Sequence, residues 1–158
     1  MKQRFRQEKP LHWPRRTLLK GGSALLGAAL WPAIARSSVS DVEDSIIALY
    51  GKRPIQAGRV TVKIPPISEN GYSVPITVDV QSPMTRDDHV VRIAVFAEEN
   101  PLPDVARFQL GPAAGRARVQ TRIRMGASQR IRAVAEMSDG SLWSGYAFSI
   151  VTLAACVL

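Results

Sequence analysis

The sequence predicts an all-β fold: an antiparallel sandwich of about seven strands, with a short helix before it and a carboxy-terminal arm after it. Three observations predict it. From Arg59 onward, short runs alternate apolar and polar side chains with a period of two. Clusters of Pro, Gly, Asn and Asp punctuate those runs at regular intervals. Helical spacing occurs in one place only, between Val42 and Tyr50.

Residues 1–35 read as an export signal. A basic start runs to Lys20, an apolar middle covers Gly21 to Ile34, and Ala33-Ile34-Ala35 offers a small-residue cleavage site near Ala35. The apolar stretch is shorter than the roughly 18–20 residues that span a bilayer, so no stable membrane anchor is expected after cleavage. Pro14-Arg15-Arg16-Thr17-Leu18-Leu19-Lys20 resembles a twin-arginine signal, which exports folded cargo. The expected destination is the periplasm.

Residues 36–58 read as a helix and linker. Ser40-Asp41-Val42-Glu43 has capping-box form, and Val42, Ile46, Leu49 and Tyr50 recur at helical spacing over Asp41–Tyr50. Lys52–Gly58 reads as linker. The sandwich is expected over 59–152. Val60–Ile64 is its first strand, stopped by Pro65-Pro66, and Glu69-Asn70-Gly71 is a turn. Val74–Val80 follows, with Pro75 predicting an edge or bulge at its start. Ser82–Asp88 is a loop, Val91–Ala97 a strand, Asn100–Pro103 a rigid turn, and Val105–Leu110 a short strand. Arg116–Met125 alternates cleanly, with Arg116, Arg118, Gln120, Arg122 and Arg124 on one face. Gly126–Gln129 reads as a tight connection to Arg130–Met137, expected to pair back on it. Asp139-Gly140 is a hairpin signal leading into Leu142–Thr152. Residues 153–158 are the arm.

Charge excludes one class of function. The formal net charge is +8, but residues 1–35 hold seven of the 21 basic and one of the 13 acidic residues. The remainder carries 14 basic against 12 acidic, a net of +2, and the case for a nucleic-acid partner from net charge disappears. The arginine face at Arg116, Arg118, Arg122 and Arg124, with Arg130 and Arg132 on the next strand, reads either as a solvated face that resists edge aggregation or as a partner surface.

Few groups can do chemistry. His12 lies in the leader, and His89 sits alone in a polar loop. One histidine and one remote cysteine do not supply a metal site, and no catalytic, phosphate-binding or dinucleotide-binding motif is present, so no cofactor is expected. The single cysteine, Cys156, cannot form an internal disulfide. It reads as a free thiol, an intermolecular partner, or a small buried hydrophobe, for which Ala154-Ala155 and Val157-Leu158 are packable neighbours.

The chain resembles the SoxY family of sulfur-oxidation carrier subunits. The resemblance rests on the leader, on Pro65–Gly71 with its Glu-Asn-Gly, and on Val74–Val80 and Ser82–Thr85. It continues through Phe96-Ala97-Glu98-Glu99-Asn100-Pro101-Leu102-Pro103, Thr121–Met125, Ala133–Ser141 and Val151-Thr152. It implies an immunoglobulin-like sandwich paired with a SoxZ-like subunit, a carrier and not an enzyme. Thiosulfate-derived sulfur would ride on Cys156 while a heme cytochrome, a sulfate-releasing hydrolase and a sulfur dehydrogenase act on it in turn. Family members place this cysteine in Gly-Gly-Cys-Gly-Gly. Here Ala154, Ala155, Val157 and Leu158 replace the glycines, which implies a stiffer and bulkier arm. The alternative is an immunoglobulin-like interaction module that carries nothing, with an inert or disulfide-forming cysteine.

Overall fold

The computed structural model describes residues 39–155. The expected export signal with Arg15 and Arg16, and the tail residues Cys156, Val157 and Leu158, lie outside the described residues. The described chain is one helix, α1 (Val39–Tyr50), and nine strands: β1 (Ile55–Ala57), β2 (Val60–Lys63), β3 (Ile67–Asn70), β4 (Val74–Val80), β5 (Val90–Ala97), β6 (Asp104–Gln109), β7 (Arg118–Ile123), β8 (Gln129–Met137) and β9 (Leu142–Leu153). They form an immunoglobulin-like sandwich. One sheet runs β1-β9-β8-β5-β6, with β3 also on β9; the other runs β2-β4-β7.

Period-two patterning decides which face of each strand is inside. Val74, Ile76, Val78 and Val80 of β4 and Ile123 of β7 point inward from the small sheet. They meet Ile93, Val95 and Ala97 of β5 and Ile131, Ala133, Ala135 and Met137 of β8. Burial of this apolar layer at about 25 cal/mol per Å² drives the two sheets together. The opposite parity of β5 and β8 makes a second cluster, in which Ala94, Phe96 and Val134 take Val42, Ile46 and Tyr50 of α1. The helix is therefore an outer layer of the sandwich. It includes Ser40, which stands inside the first described turn and not before it as the capping-box reading expected. Gly51 N–H closes its last turn on Ile47 O at 2.8 Å. Tyr50 Oη donates to Val134 O at 3.2 Å, and burial pushes the phenol well above its ordinary range.

Two expectations are corrected. The fold is not wholly antiparallel, because β1 and β3 both run parallel to β9. These two strands lie in stretches read as linker and turn. Next, the connection after β7 is not a hairpin. β7 pairs with β4, whereas β8 pairs with β5 and β9, so Gly126–Ser128 crosses from one sheet to the other. Arg130 and Arg132 consequently lie on the other sheet and are not neighbours of the β7 arginines. β4 is the central strand of its sheet, yet its first residues are paired on one side only, the edge that Pro75 predicts at its start. Pro75 is tolerated because β2 reaches only to Thr77 in the register, leaving β7 as the one neighbour at Pro75.

Gly145 shows how closely the sheets approach at β9. A Cβ there would stand 2.1 Å from Val60 O, so only glycine lets β2 pass at that point.

Candidate functional site at the root of the carboxy-terminal tail

β9 delivers the tail, and its two halves are held differently. From Leu142 to Ser149 it pairs with β8, the register ending at Gln129–Ser149. Beyond that point β3 takes over in parallel, through Ile67–Ile150, Ser68–Val151 and Asn70–Leu153. Side chains reinforce this last stretch. Val151 N donates to Ser128 Oγ at 2.9 Å, and Thr152 Oγ1 donates to Glu69 O at 2.8 Å. The sandwich was expected to end at Thr152, but β9 continues through Leu153, Ala154 and Ala155 are half-buried, and Ala155 N–H donates to Met125 O at 3.0 Å.

Met125 is the fixed point of this arrangement. Its side chain is fully buried, and its own N–H donates to Gly71 O at 2.9 Å. On either side of it, Arg124 O accepts from Asn100 Nδ2 at 2.9 Å and Gly126 N donates to Asn100 Oδ1 at 2.8 Å. Asn100 is thus a buried bracket around Met125. Gln129 Nε2 adds the third bond of this side chain, the second on Asn100 Oδ1, at 2.9 Å, while Gln129 Oε1 accepts from Glu99 N at 2.8 Å. Buried amides are tolerable because their bonding capacity is used here.

Gly71 sits under the same point. Asn70 Oδ1 accepts from Tyr72 N at 2.7 Å and shapes the tight 3₁₀ turn Gly71–Ser73. A Cβ on Gly71 would come within 2.5 Å of Met125 O and 3.0 Å of Leu153 O. The Glu-Asn-Gly and Asn-Pro stretches, distant in sequence, therefore meet at the root of the tail.

The arginine face forms as its alternation predicts, on the outer side of the small sheet, with all four arginines exposed. Arg118 and Asp79 are cross-strand partners at 2.6 Å, and Arg116 reaches the same carboxylate at 3.2 Å. Arg122 Nη1 donates to Ser73 O at 3.1 Å, so it props the turn that follows Gly71. Arg130 and Arg132, on the other sheet, pair instead with Glu98 just after β5 and with Glu43 of α1. A surface pocket of about 560 Å³ lined by Leu49, Arg92, Arg107 and Gln109 involves β5 and β6, away from the β9 side of that sheet. Its arginines are engaged, Arg107 with Asp104 and Arg92 with Glu136 at 3.9 Å.

His89 stands in the loop before β5, its N–H donating to Ser138 Oγ at 3.2 Å. Among the described residues no group of three or more His, Cys, Asp or Glu is placed to hold a metal. Sequence reasoning missed Asn100, Met125, Gly71 and Gln129 as residues of the site. The available signal was the pair of polar residues, Asn100 and Gln129, that bound otherwise apolar or turn segments.

The family model for sulfur oxidation protein SoxY matches residues 46–156. Among solved structures, the sulfur carrier protein SoxY from Chlorobium limicola f thiosulfatophilum is 32% identical, with a TM-score of 0.62, over 73% of this chain and 100% of that one. Superoxide reductase (neelaredoxin) from Ignicoccus hospitalis is 14% identical, with a TM-score of 0.53, over 73% of this chain and 94% of that one. Superoxide reductase from Nanoarchaeum equitans is 13% identical, with a TM-score of 0.51, over 60% of this chain and 99% of that one. These two share the fold alone. No curated protein matches the chain. With the family model spanning most of its length, the chain belongs to the SoxY family of sulfur oxidation proteins.

Proposed function

We propose that this chain carries thiosulfate-derived sulfur covalently on Cys156 and presents it to sulfur-oxidising enzymes. The SoxY family is one of sulfur-oxidation carriers rather than enzymes. The observation that supports the finer reading is the way the fold ends. Two buried amides, a glycine turn and a parallel strand hold β9 and Ala155, and the next residue is the only thiol in the chain. The family match extends through that thiol.

The chemistry fits a passive carrier. Thiolate is the reactive form, and an ordinary thiol with pKa about 8.5 is only a few per cent ionised at neutral pH. Joining Cys–S⁻ to thiosulfate gives Cys–S–S–SO₃⁻ and releases two electrons, which a heme cytochrome partner would accept. Hydrolysis of the terminal sulfonate with one water then gives sulfate, two protons and Cys–S–S⁻, the work of a sulfate-releasing hydrolase. A sulfur dehydrogenase would oxidise the remaining sulfur. The chain's own contribution is to hold and present the sulfur. The proposed setting is the periplasm, reached by the twin-arginine route through Arg15 and Arg16, with a SoxZ-like subunit as stable partner and the arginine face as a surface for it.

Half-burial of Ala154 and Ala155 favours a second reading, an interaction module whose cysteine is inert or forms a disulfide dimer. Intact-mass measurement of the chain isolated from thiosulfate-oxidising cells separates the two. The carrier reading expects sulfur or thiosulfonate adducts that map to Cys156, disappear on reduction and are absent from Cys156→Ser. Finding only unmodified thiol, or only a stable disulfide dimer, replaces it with the second.

A further inference from the structure

We infer that Gly71 and Met125 are positioning residues that set where the carrier arm pivots. This inference rests on the carrier reading of Cys156 and adds to it a defined latch. With Ala155 N–H on Met125 O, the last tether among the described residues lies one residue before the thiol. With that single bond broken, the next tether is the Asn70–Leu153 register position of β3 and β9. Three residue steps, through Ala154 and Ala155, then lead from tether to thiol, a reach of roughly 10 Å in extended chain.

The latch is built, and among its described contacts the Ala155–Met125 bond is the one that needs to open. Met125 cannot move, because its N–H is on Gly71 O and Asn100 grips both flanking peptides. Gly71 leaves the acceptor side free: any Cβ there would press on Met125 O at 2.5 Å and Leu153 O at 3.0 Å, both backbone atoms. Its backbone is not in the left-handed region, so the requirement for glycine is one of space alone. Alanines at 154 and 155, where the family has glycines, suit this use: they are half-buried and lose less entropy than glycine when the latch closes.

The test compares Gly71→Ala and Ala155→Pro with wild type in the full-length chain. The first crowds the acceptor; the second removes the donor without touching the sandwich. Hydrogen exchange at the Ala155 amide in Gly71→Ala, and alkylation of Cys156 by iodoacetamide in both variants, are read under native conditions. Both rates are expected to rise roughly three- to ten-fold, the effect of losing one hydrogen bond. Gly111→Ala, where an added Cβ meets nothing within 4 Å, should change neither rate. Tyr50→Phe, which weakens the fold under α1, should also leave both unchanged. Wild-type rates in Gly71→Ala and Ala155→Pro overturn the latch even if Cys156 is found to carry sulfur. Raised rates on a cysteine that never carries sulfur leave the latch standing and remove the carrier reading beneath it.

Discussion

Gln129 Nε2 donates to Asn100 Oδ1 at 2.9 Å in the buried interior where the chain crosses from β7 to β8. Asn100 uses its remaining capacity on Gly126 N and Arg124 O, so one side chain closes three bonds across the crossing. Asn100→Ala takes the partner from the part-buried Gly126 N–H and Arg124 O, and leaves Gln129 Nε2 with only its longer bond to Ala127 O at 3.3 Å. Each such group costs about 1–3 kcal/mol, and partial relaxation lets some be resolvated, so a loss of roughly 2–4 kcal/mol is expected. Urea denaturation measures it, and a loss below 1 kcal/mol would show that the crossing does not depend on Asn100.

The same pair explains what the sequence disclosed and what it hid. Long strands with strict alternation, such as Val74–Val80, declare both their period and their buried face. So does the arginine face, since Arg118, Gln120 and Arg122 have no reason to turn inward. β1 and β3 are too short to show a period, and Ile67 is exposed, so their membership depends on β9, far along the chain. A short loop such as Gly126–Ser128 reads equally well as a hairpin or a crossover. What decides is the burial of Gln129 against Asn100, a contact across 29 residues that no local pattern contains. The thiol was legible because it is the only one. Its root was not, because Gly71, Met125 and Ala155 meet only in the folded chain.

Gly145 faces the other sheet so closely that side-chain volume cannot be added. With Val60 O 2.1 Å from the position of a Cβ, Gly145→Ala must push β2 away from β9. Overpacking of this kind typically costs 1–3 kcal/mol, and the backbone identity of the obstacle puts this site at about 3 kcal/mol. Thermal unfolding of Gly145→Ala beside Gly111→Ala gives the comparison: the former should melt well below wild type and the latter with it. Equal melting of the two would refute a tight approach at this point.

Tyr50 makes stability depend on alkaline pH. Burial disfavours its phenolate, so the folded-state pKa lies above the ordinary value of 10.0. From pH 10 upward the unfolded chain gives up this proton before the folded chain does, and stability falls as pH rises. Below pH 10 both states hold the proton and the group contributes no slope. Tyr50→Phe removes the bond to Val134 O, at a cost of about 1 kcal/mol near neutrality, and also removes this alkaline component. Melting curves from pH 8 to above pH 10 should therefore converge for the two proteins as pH rises. Parallel curves would mean that Tyr50 is not the group responsible.

The arginine face offers a test of the partner surface in which one residue must be left alone. Arg122 holds Ser73 O beside the Gly71 turn, so changing it would disturb the root of the tail as well as the surface charge. Arg116 and Arg118 share Asp79, and removing either leaves that carboxylate partly compensated by the other. Arg124 is exposed, and its only described role in the fold is through its backbone carbonyl on Asn100. Arg124→Glu thus reverses surface charge without touching a tether. If this face meets a SoxZ-like subunit with an acidic surface, the exchange should weaken association roughly three- to thirty-fold at low salt, mostly through the on-rate, and the difference should shrink as ionic strength rises. Titration at two salt concentrations, with Cys156 alkylation as a check that the tail is unaltered, reads both effects. Unchanged affinity at low salt would return the four arginines to the role of a solvated face that keeps the small sheet from pairing with its own kind.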